Sequence, residues 1–99
     1  MDLTILIAED EEYNMLYITE LFSNTKIKII EAFNGKEAVE LAKKENPDLI
    51  LMDVRMPRMT GYDACRAIKQ IPALVDTPVV FLSAKGQETE IETGLDAGA

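Results

Sequence analysis

The sequence is poor in residues that would mark several common classes of protein. Its 99 residues include one cysteine, no histidine and no tryptophan. The single cysteine, Cys65, excludes an internal disulfide and fits a reducing compartment. Its apolar helical neighbours favour a small core residue. No apolar run reaches the roughly 18 residues that a membrane span requires, and the N-terminus lacks the basic region of a signal peptide. We therefore expect a soluble cytoplasmic domain.

Basic residues are also scarce. Ten lysines and arginines against 18 acidic residues give a net charge of -8. This balance opposes binding of nucleic acid or of an anionic membrane, because both need a basic face. The chain has no Gly-x-Gly-x-x-Gly or Gly-Lys-Ser/Thr loop, so nucleotide binding has no support. With 47% hydrophobic and 28% charged residues, the composition predicts one small globular domain.

Short apolar runs alternate with segments of helical period. The runs are Thr4–Ala8, Ile27–Ala32, Leu49–Met52 and Pro78–Leu82. The helical faces are Met15, Ile18, Leu21 and Phe22, then Ala38, Leu41 and Ala42, then Ala64, Cys65 and Ile68, with a weaker candidate at Gln87–Leu95. The order β-α-β-α-β-α-β-α predicts a parallel sheet with right-handed crossovers and helices on both faces.

Three acidic residues follow two of these runs. Glu9 and Asp10 come directly after the first run, and Asp53 follows the third. If these strands are neighbours, their carboxyl ends meet at one edge of the sheet, where ligands of such folds bind. Carboxylates that close repel one another, and a hard divalent cation with oxygen ligands relieves the repulsion. The pattern predicts a magnesium-type site with one carboxylate left for chemistry.

Other polar residues near this edge are less specific. Ser83 ends the fourth run, and its hydroxyl suits either a phosphoryl contact or a helix cap. Arg55 and Lys85 are candidates to flank the mouth of the pocket, whereas Arg58 fits a solvated loop charge. The sequence leaves the alternatives for Ser83 open.

The motifs together resemble the receiver domain of bacterial two-component response regulators, of the chemotaxis-regulator type. The resemblance rests on Glu9-Asp10, Asn34-Gly35, Pro47–Asp53, Met56-Pro57, Gly61, Ser83-Ala84 and Leu95–Ala99, in order along the whole chain. It implies a doubly wound, flavodoxin-like α/β fold with strand order 2-1-3-4-5. It also implies that Asp53 accepts a phosphoryl group from a histidine kinase or a histidine phosphotransfer protein. Such a domain is a signalling module that catalyses only its own phosphorylation and dephosphorylation.

The resemblance also implies roles for the residues around Asp53. Asp10 and Asp53 would bind Mg²⁺ through carboxylate oxygens, Glu9 through a bound water, and Arg55 through its backbone carbonyl. Ser83 would be the switch hydroxyl that turns towards the phosphoryl group. Phosphorylation would then change the surface that a partner or an output domain contacts.

The sequence departs from the family at its C-terminal end. It stops before the fifth strand, which in the family carries a lysine that pairs with the phosphoryl group. We therefore expect residues 1–99 to form a C-terminally incomplete receiver domain, with any output domain beyond residue 99. An apolar fourth strand at the sheet edge would favour dimeric or strand-swapped association.

Two other functions fit parts of the pattern. The first is a binding module without phosphotransfer, a degenerate receiver that works through its surface. The second is a magnesium-dependent phosphatase or nucleic-acid-cleaving domain. One such fold needs an Asp-x-Asp motif on a later strand, where Arg55 replaces the second acid, and haloacid-dehalogenase-type phosphatases need the motif after the first strand, where Glu9-Asp10-Glu11 does not supply it. Magnesium binding at the acidic cluster separates the first alternative from a working receiver.

Overall fold

The described strands form a single parallel sheet. The computed structural model describes residues 3–56 and 58–82. In chain order, the elements are β1 (Thr4–Ala8), α1 (Glu12–Glu20), β2 (Lys28–Ala32), α2 (Gly35–Glu45), β3 (Leu49–Asp53), α3 (Gly61–Lys69), a 3₁₀ turn (Pro72–Leu74) and β4 (Val79–Leu82). Within the sheet the strands lie in the order β2-β1-β3-β4, which confirms the predicted doubly wound, flavodoxin-like fold. The predicted helix Gln87–Leu95 and the residues Ser83 and Lys85 lie outside the described residues.

The two central strands, β1 and β3, are joined by two hydrogen bonds at their N-terminal ends. The Thr4 N–H donates to Asp48 Oδ2 at 2.8 Å, and the Asp48 N–H donates to the Thr4 carbonyl at 2.7 Å. The pair sets the register in which Ala8 lies beside Met52. As a result, the residues after Ala8 and after Met52 emerge at the same edge of the sheet.

Side-chain caps begin the two helices on one side of the sheet. Asn34 Oδ1 accepts a hydrogen bond from the Glu37 N–H, and Glu37 Oε1 accepts one from the Phe33 N–H. Thr60 Oγ1 caps α3 by accepting from the Asp63 N–H. Such caps satisfy backbone N–H groups that have no partner within the helix. They fix the position at which each helix begins.

Alternate strand residues supply two apolar layers. Leu6, Ala8, Ile50, Met52 and Phe81 pack with α2 and α3, whereas Ile5, Ile7, Leu49 and Leu51 pack with α1. Cys65 is fully buried in the first layer, which confirms its predicted core position. The period of two along each strand produces this division.

One residue of a predicted helical face lies beyond the end of the helix. The sequence groups Leu21 with Met15 on one face of the first helix, but Leu21 is 63% exposed. The helix ends at Glu20, and the Leu21 N–H donates to the Ile18 carbonyl three residues back. This tighter turn ends the helical period that the prediction assumed. Within residues 3–56 and 58–82, no helix is both long enough and apolar enough to cross a membrane.

Candidate functional site

Three carboxylates converge at the carboxyl edge of the sheet. Glu9 and Asp10 follow β1, and Asp53 ends β3. One oxygen of each carboxylate lies within 4.8 Å of the others. Glu9 is 4% exposed and Asp53 3% exposed, whereas Asp10 is open to solvent. The convergence predicted from the strand ends is therefore present.

The two buried carboxylates each accept a backbone hydrogen bond. The Glu11 N–H donates to Glu9 Oε1 at 3.1 Å, and the Arg55 N–H donates to Asp53 Oδ1 at 3.4 Å. Burial, reinforced by the charges of Asp53 and Asp10, raises the pKa of Glu9 to about 7. Burial also raises the pKa of Asp53, and the charge of Asp10 adds to the rise. The cluster therefore carries unfavourable negative charge in a poorly solvated place.

The donor set suits a hard cation. The two ion pairs of the described residues, Lys28 with Glu45 and Arg66 with Asp63, lie outside the cluster. Within residues 3–56 and 58–82, no lysine or arginine forms an ion pair with the three converging carboxylates, and carboxylate oxygens are ligands that Mg²⁺ prefers. A divalent ion there would offset the repulsion that raises the pKa of Glu9 and Asp53.

The loop between β3 and α3 makes close backbone contacts at two glycines, Gly61 and Gly35. The Gly61 N–H donates to the Val54 carbonyl at 2.9 Å, which closes the loop between β3 and α3. A Cβ on Gly61 would lie 2.2 Å from the Asp53 carbonyl oxygen, and one on Gly35 would lie 2.3 Å from the Met59 carbonyl oxygen. Both glycines belong to motifs of the sequence, but the motifs do not predict these contacts, which form only when the segments meet in the fold.

The remaining predicted site residues divide into two groups. The Arg55 side chain is exposed, and the backbone N–H of Arg55 donates to Asp53 Oδ1. The predicted role of the Arg55 backbone carbonyl as a metal ligand stays a prediction. Arg58 is exposed, as expected for a solvated loop charge, and has a left-handed backbone with φ of 72°. Ser83 and Lys85 fall outside the described residues, so their predicted roles stay predictions too.

Comparison with known proteins places this site in a family. The model of the response regulator receiver domain matches residues 5–99. The transcriptional regulatory protein PdtaR of Mycobacterium tuberculosis is 42% identical over 96 residues, which are 96% of this chain and 45% of that protein. The chemotaxis protein CheY of Bacillus subtilis is 36% identical over 96 residues, which are 96% of this chain and 78% of that protein. The chain thus spans less than half of PdtaR and most of CheY.

A solved structure agrees with these relatives. The receiver domain of the sensor histidine kinase PA1611 from Pseudomonas aeruginosa superposes with a TM-score of 0.84 at 29% identity, covering 98% of this chain and 80% of that one. That structure has a magnesium ion coordinated in its active-site cleft. Fold, acidic cluster and sequence similarity lead to one conclusion: this chain belongs to the response regulator receiver domain family, the signalling domains of two-component systems.

Proposed function

We propose that this domain receives a phosphoryl group on Asp53 from a phosphohistidine donor in a Mg²⁺-dependent reaction. The observation that carries the proposal is the convergence of buried Asp53 with Glu9 and Asp10, whose oxygens lie within 4.8 Å of one another. A buried carboxylate at a strand end, next to two further acids, is a nucleophile placed beside ligands for a cation. The family membership supports the same chemistry.

In the proposed reaction, an Asp53 carboxylate oxygen attacks the phosphorus of the donor. An O–P bond forms as the donor P–N bond breaks, and the bonding electron pair goes to the imidazole nitrogen of the donor histidine. The Arg55 N–H, which donates to Asp53 Oδ1, holds the carboxylate and leaves its other oxygen for attack. Water then attacks the phosphorus of the aspartyl phosphate, the Asp53 O–P bond breaks with its electron pair returning to the carboxylate, and inorganic phosphate is released.

Asp10 and Asp53 would hold Mg²⁺ directly, Glu9 through a water molecule, and Arg55 through its backbone carbonyl. When bound, the ion supplies positive charge for the phosphoryl oxygens and lowers the repulsion between Asp53 and an anionic donor. We propose Ser83 as the hydroxyl that contacts the phosphoryl group. The exposed Asp10 leaves the site open on one side, which gives the donor a path to Asp53.

The partners follow from the same reaction. The donor would be a histidine kinase or a histidine phosphotransfer protein, and the response would pass to an output domain or a separate partner protein. We propose that the domain works in the cytoplasm, where Cys65 would remain the reduced core residue that its burial suggests. Association through β4 stays a prediction.

Phosphorylation with a small donor tests the proposal directly. The protein is incubated with acetyl phosphate, or with phosphoramidate to supply a P–N bond, with and without Mg²⁺. Intact mass then reports the addition of one phosphoryl group, about 80 Da. We expect the adduct only with Mg²⁺ and not in Asp53→Asn.

The matched control is Asp63→Asn, which removes an exposed carboxylate on α3 that pairs with Arg66. This variant should be phosphorylated like the unchanged protein. An adduct that persists in Asp53→Asn would contradict the assignment of Asp53. A folded protein that gives no adduct with either donor would instead support a binding module without phosphotransfer.

A further inference from the structure

The β3–α3 loop, which follows Asp53, is held between α2 and α3. On the α3 side, Gly61 lies directly against the Asp53 carbonyl, where a Cβ would be 2.2 Å from the oxygen. On the α2 side, Gly35 lies against Met59, two residues before Gly61. Close approaches therefore run from Gly35 through Met59 and Gly61 to Asp53. At each glycine the nearest atom that a Cβ would meet is a backbone carbonyl oxygen, which cannot move aside as the end of a flexible side chain can.

The contact at Gly35 is tight because it involves fixed atoms. A Cβ there would lie 2.3 Å from the Met59 carbonyl oxygen, 2.8 Å from Met59 Cβ and 2.9 Å from the Met59 carbonyl carbon. Contacts under 3.0 Å force a shift, since atoms in protein interiors are already close-packed. Either the start of α2 or the loop has to move.

The start of α2 is the better anchored of the two. The Asn34 cap and the Glu37 carboxylate hold its first turn at 2.8 and 2.9 Å. Ala38 and Ala42 are fully buried in the layer that α2 shares with α3. The loop has irregular backbone, with Arg58 in the left-handed region. A methyl group at Gly35 would therefore displace Met59 and, with it, Gly61.

We infer that Gly35 is a positioning residue for Asp53: its lack of a side chain lets α2 brace the β3–α3 loop and so sets the carboxylate for metal binding and phosphorylation. This inference rests on the proposed function of Asp53. The hydrogen bond that reports the position of the carboxylate is the one from the Arg55 N–H to Asp53 Oδ1. At 3.4 Å it is long, so a small displacement of the loop breaks it.

The test is Gly35→Ala, with Ala42→Gly as the matched control. Ala42→Gly weakens the same helix, through lower helix propensity and a lost buried methyl group, at a position seven residues from the loop contact. Two quantities are measured for each protein: the dissociation constant for Mg²⁺ added as its chloride, and the amide resonances of Asp53 and Arg55 in the metal-free protein. Thermal unfolding shows how far each variant is destabilised.

We expect Gly35→Ala to bind Mg²⁺ about tenfold more weakly, as for residues that orient metal ligands, and to shift the Arg55 amide resonance without metal. Ala42→Gly should stay within about twofold of the unchanged protein despite its lower stability. Gly35→Ala with unchanged Mg²⁺ affinity and unchanged amide resonances would overturn the inference. An equal loss of affinity in Ala42→Gly would overturn it too, because a general loss of stability would then explain the effect.

Two further results keep the inference separate from the proposed function. If the unchanged protein binds no Mg²⁺, the proposed function fails, and the metal-free amide resonances of Gly35→Ala alone decide the inference. If Gly35→Ala does not fold, Met59→Gly replaces it, since this change loosens the loop at the same contact. Met59→Gly should then weaken Mg²⁺ binding, and unchanged binding would overturn the inference.

Discussion

The two faces of the sheet are packed to different degrees. On the side of α2 and α3, strand residues such as Leu6, Ile50 and Phe81 are fully buried. On the side of α1, only Ile5, Ile7 and Met15 are buried among the described residues of that layer, and Leu49 and Leu51 are partly exposed. A dense face and a thinner face thus share the same strands.

The acidic site continues the thinner face. Leu49, Leu51 and Asp53 are alternate residues of β3, so the strand period assigns Asp53 to the side of α1. The glycine contacts that hold its loop come from the other side, where α2 and α3 begin. The two faces therefore contribute differently to stability: the dense face buries the larger apolar side chains, whereas the buried charges of the thinner face oppose folding, and a bound cation would offset them.

Removing one large side chain from each face should give the largest difference in unfolding free energy between the two faces. Ile50 and Leu51 are neighbours on β3 that face opposite layers. We expect Ile50→Ala to lower the free energy of unfolding by about 4 kcal/mol and Leu51→Ala by about 2 kcal/mol. Urea denaturation measures both. Equal losses would show that the two faces are packed alike.

Bound Mg²⁺ should stabilise the folded protein through the acidic site, and this gain should not depend on the packing of the dense face. An ion that binds only the folded state at 100 times its dissociation constant adds about 2.7 kcal/mol. The gain should be the same in Ile50→Ala as in the unchanged protein, because distant sites contribute independently. Denaturation with and without Mg²⁺ provides the measurement. A gain that disappears in Ile50→Ala would mean that the core packing of the dense face, and not only the contact at Gly35, shapes the metal site.

The pH dependence of the metal-free protein should reveal the buried charge. The pKa of Glu9 rises from 4.5 to about 7 on folding, so the folded protein keeps this proton over a range in which the unfolded chain has lost it. Stability should therefore fall as the pH rises from about 4.5 to 7, with a slope of at most about 1.4 kcal/mol per pH unit from this group.

Glu9→Gln isolates that contribution, because it removes the titrating group and keeps the shape of the side chain. The slope should flatten in this variant and remain in Glu40→Gln, which changes an exposed residue of α2. Urea denaturation in the presence of a chelator at several pH values measures the slopes. A slope as steep in Glu9→Gln as in the unchanged protein would mean that another group, such as Asp53 with its raised pKa, carries the effect.

The outer surface of α1 should contribute least. Tyr13, Leu16 and Tyr17 are 84, 61 and 69% exposed, and α1 packs inwards mainly through Met15. We expect Tyr17→Ser to change the free energy of unfolding by less than about 0.5 kcal/mol, as for most surface substitutions. The same denaturation experiment gives the value. A loss above 1 kcal/mol, roughly twice that limit, would show that this surface is covered in solution.

Much of the fold could be predicted because the pattern is local. The run at Thr4–Ala8 matches β1 residue for residue, and Leu49–Met52 ends one residue short of β3. Short apolar runs separated by helical segments have few packings open to them other than a parallel sheet. Leu21 lies beyond the helix whose face it was predicted to share, because periodicity does not reveal where a helix gives way to a tighter turn.

The order of the elements, the acids at the strand ends and the family resemblance of the motifs can all be read from consecutive residues of the chain. The tertiary structure decided that Glu9 and Asp53 are buried while Asp10 is exposed, and hence which pKa values rise. Folding also brings Gly35 against Met59 and Gly61 against Asp53. The physical reason is that burial and backbone contact depend on segments that meet only after folding, whereas strand and helix periods are written within a few consecutive residues.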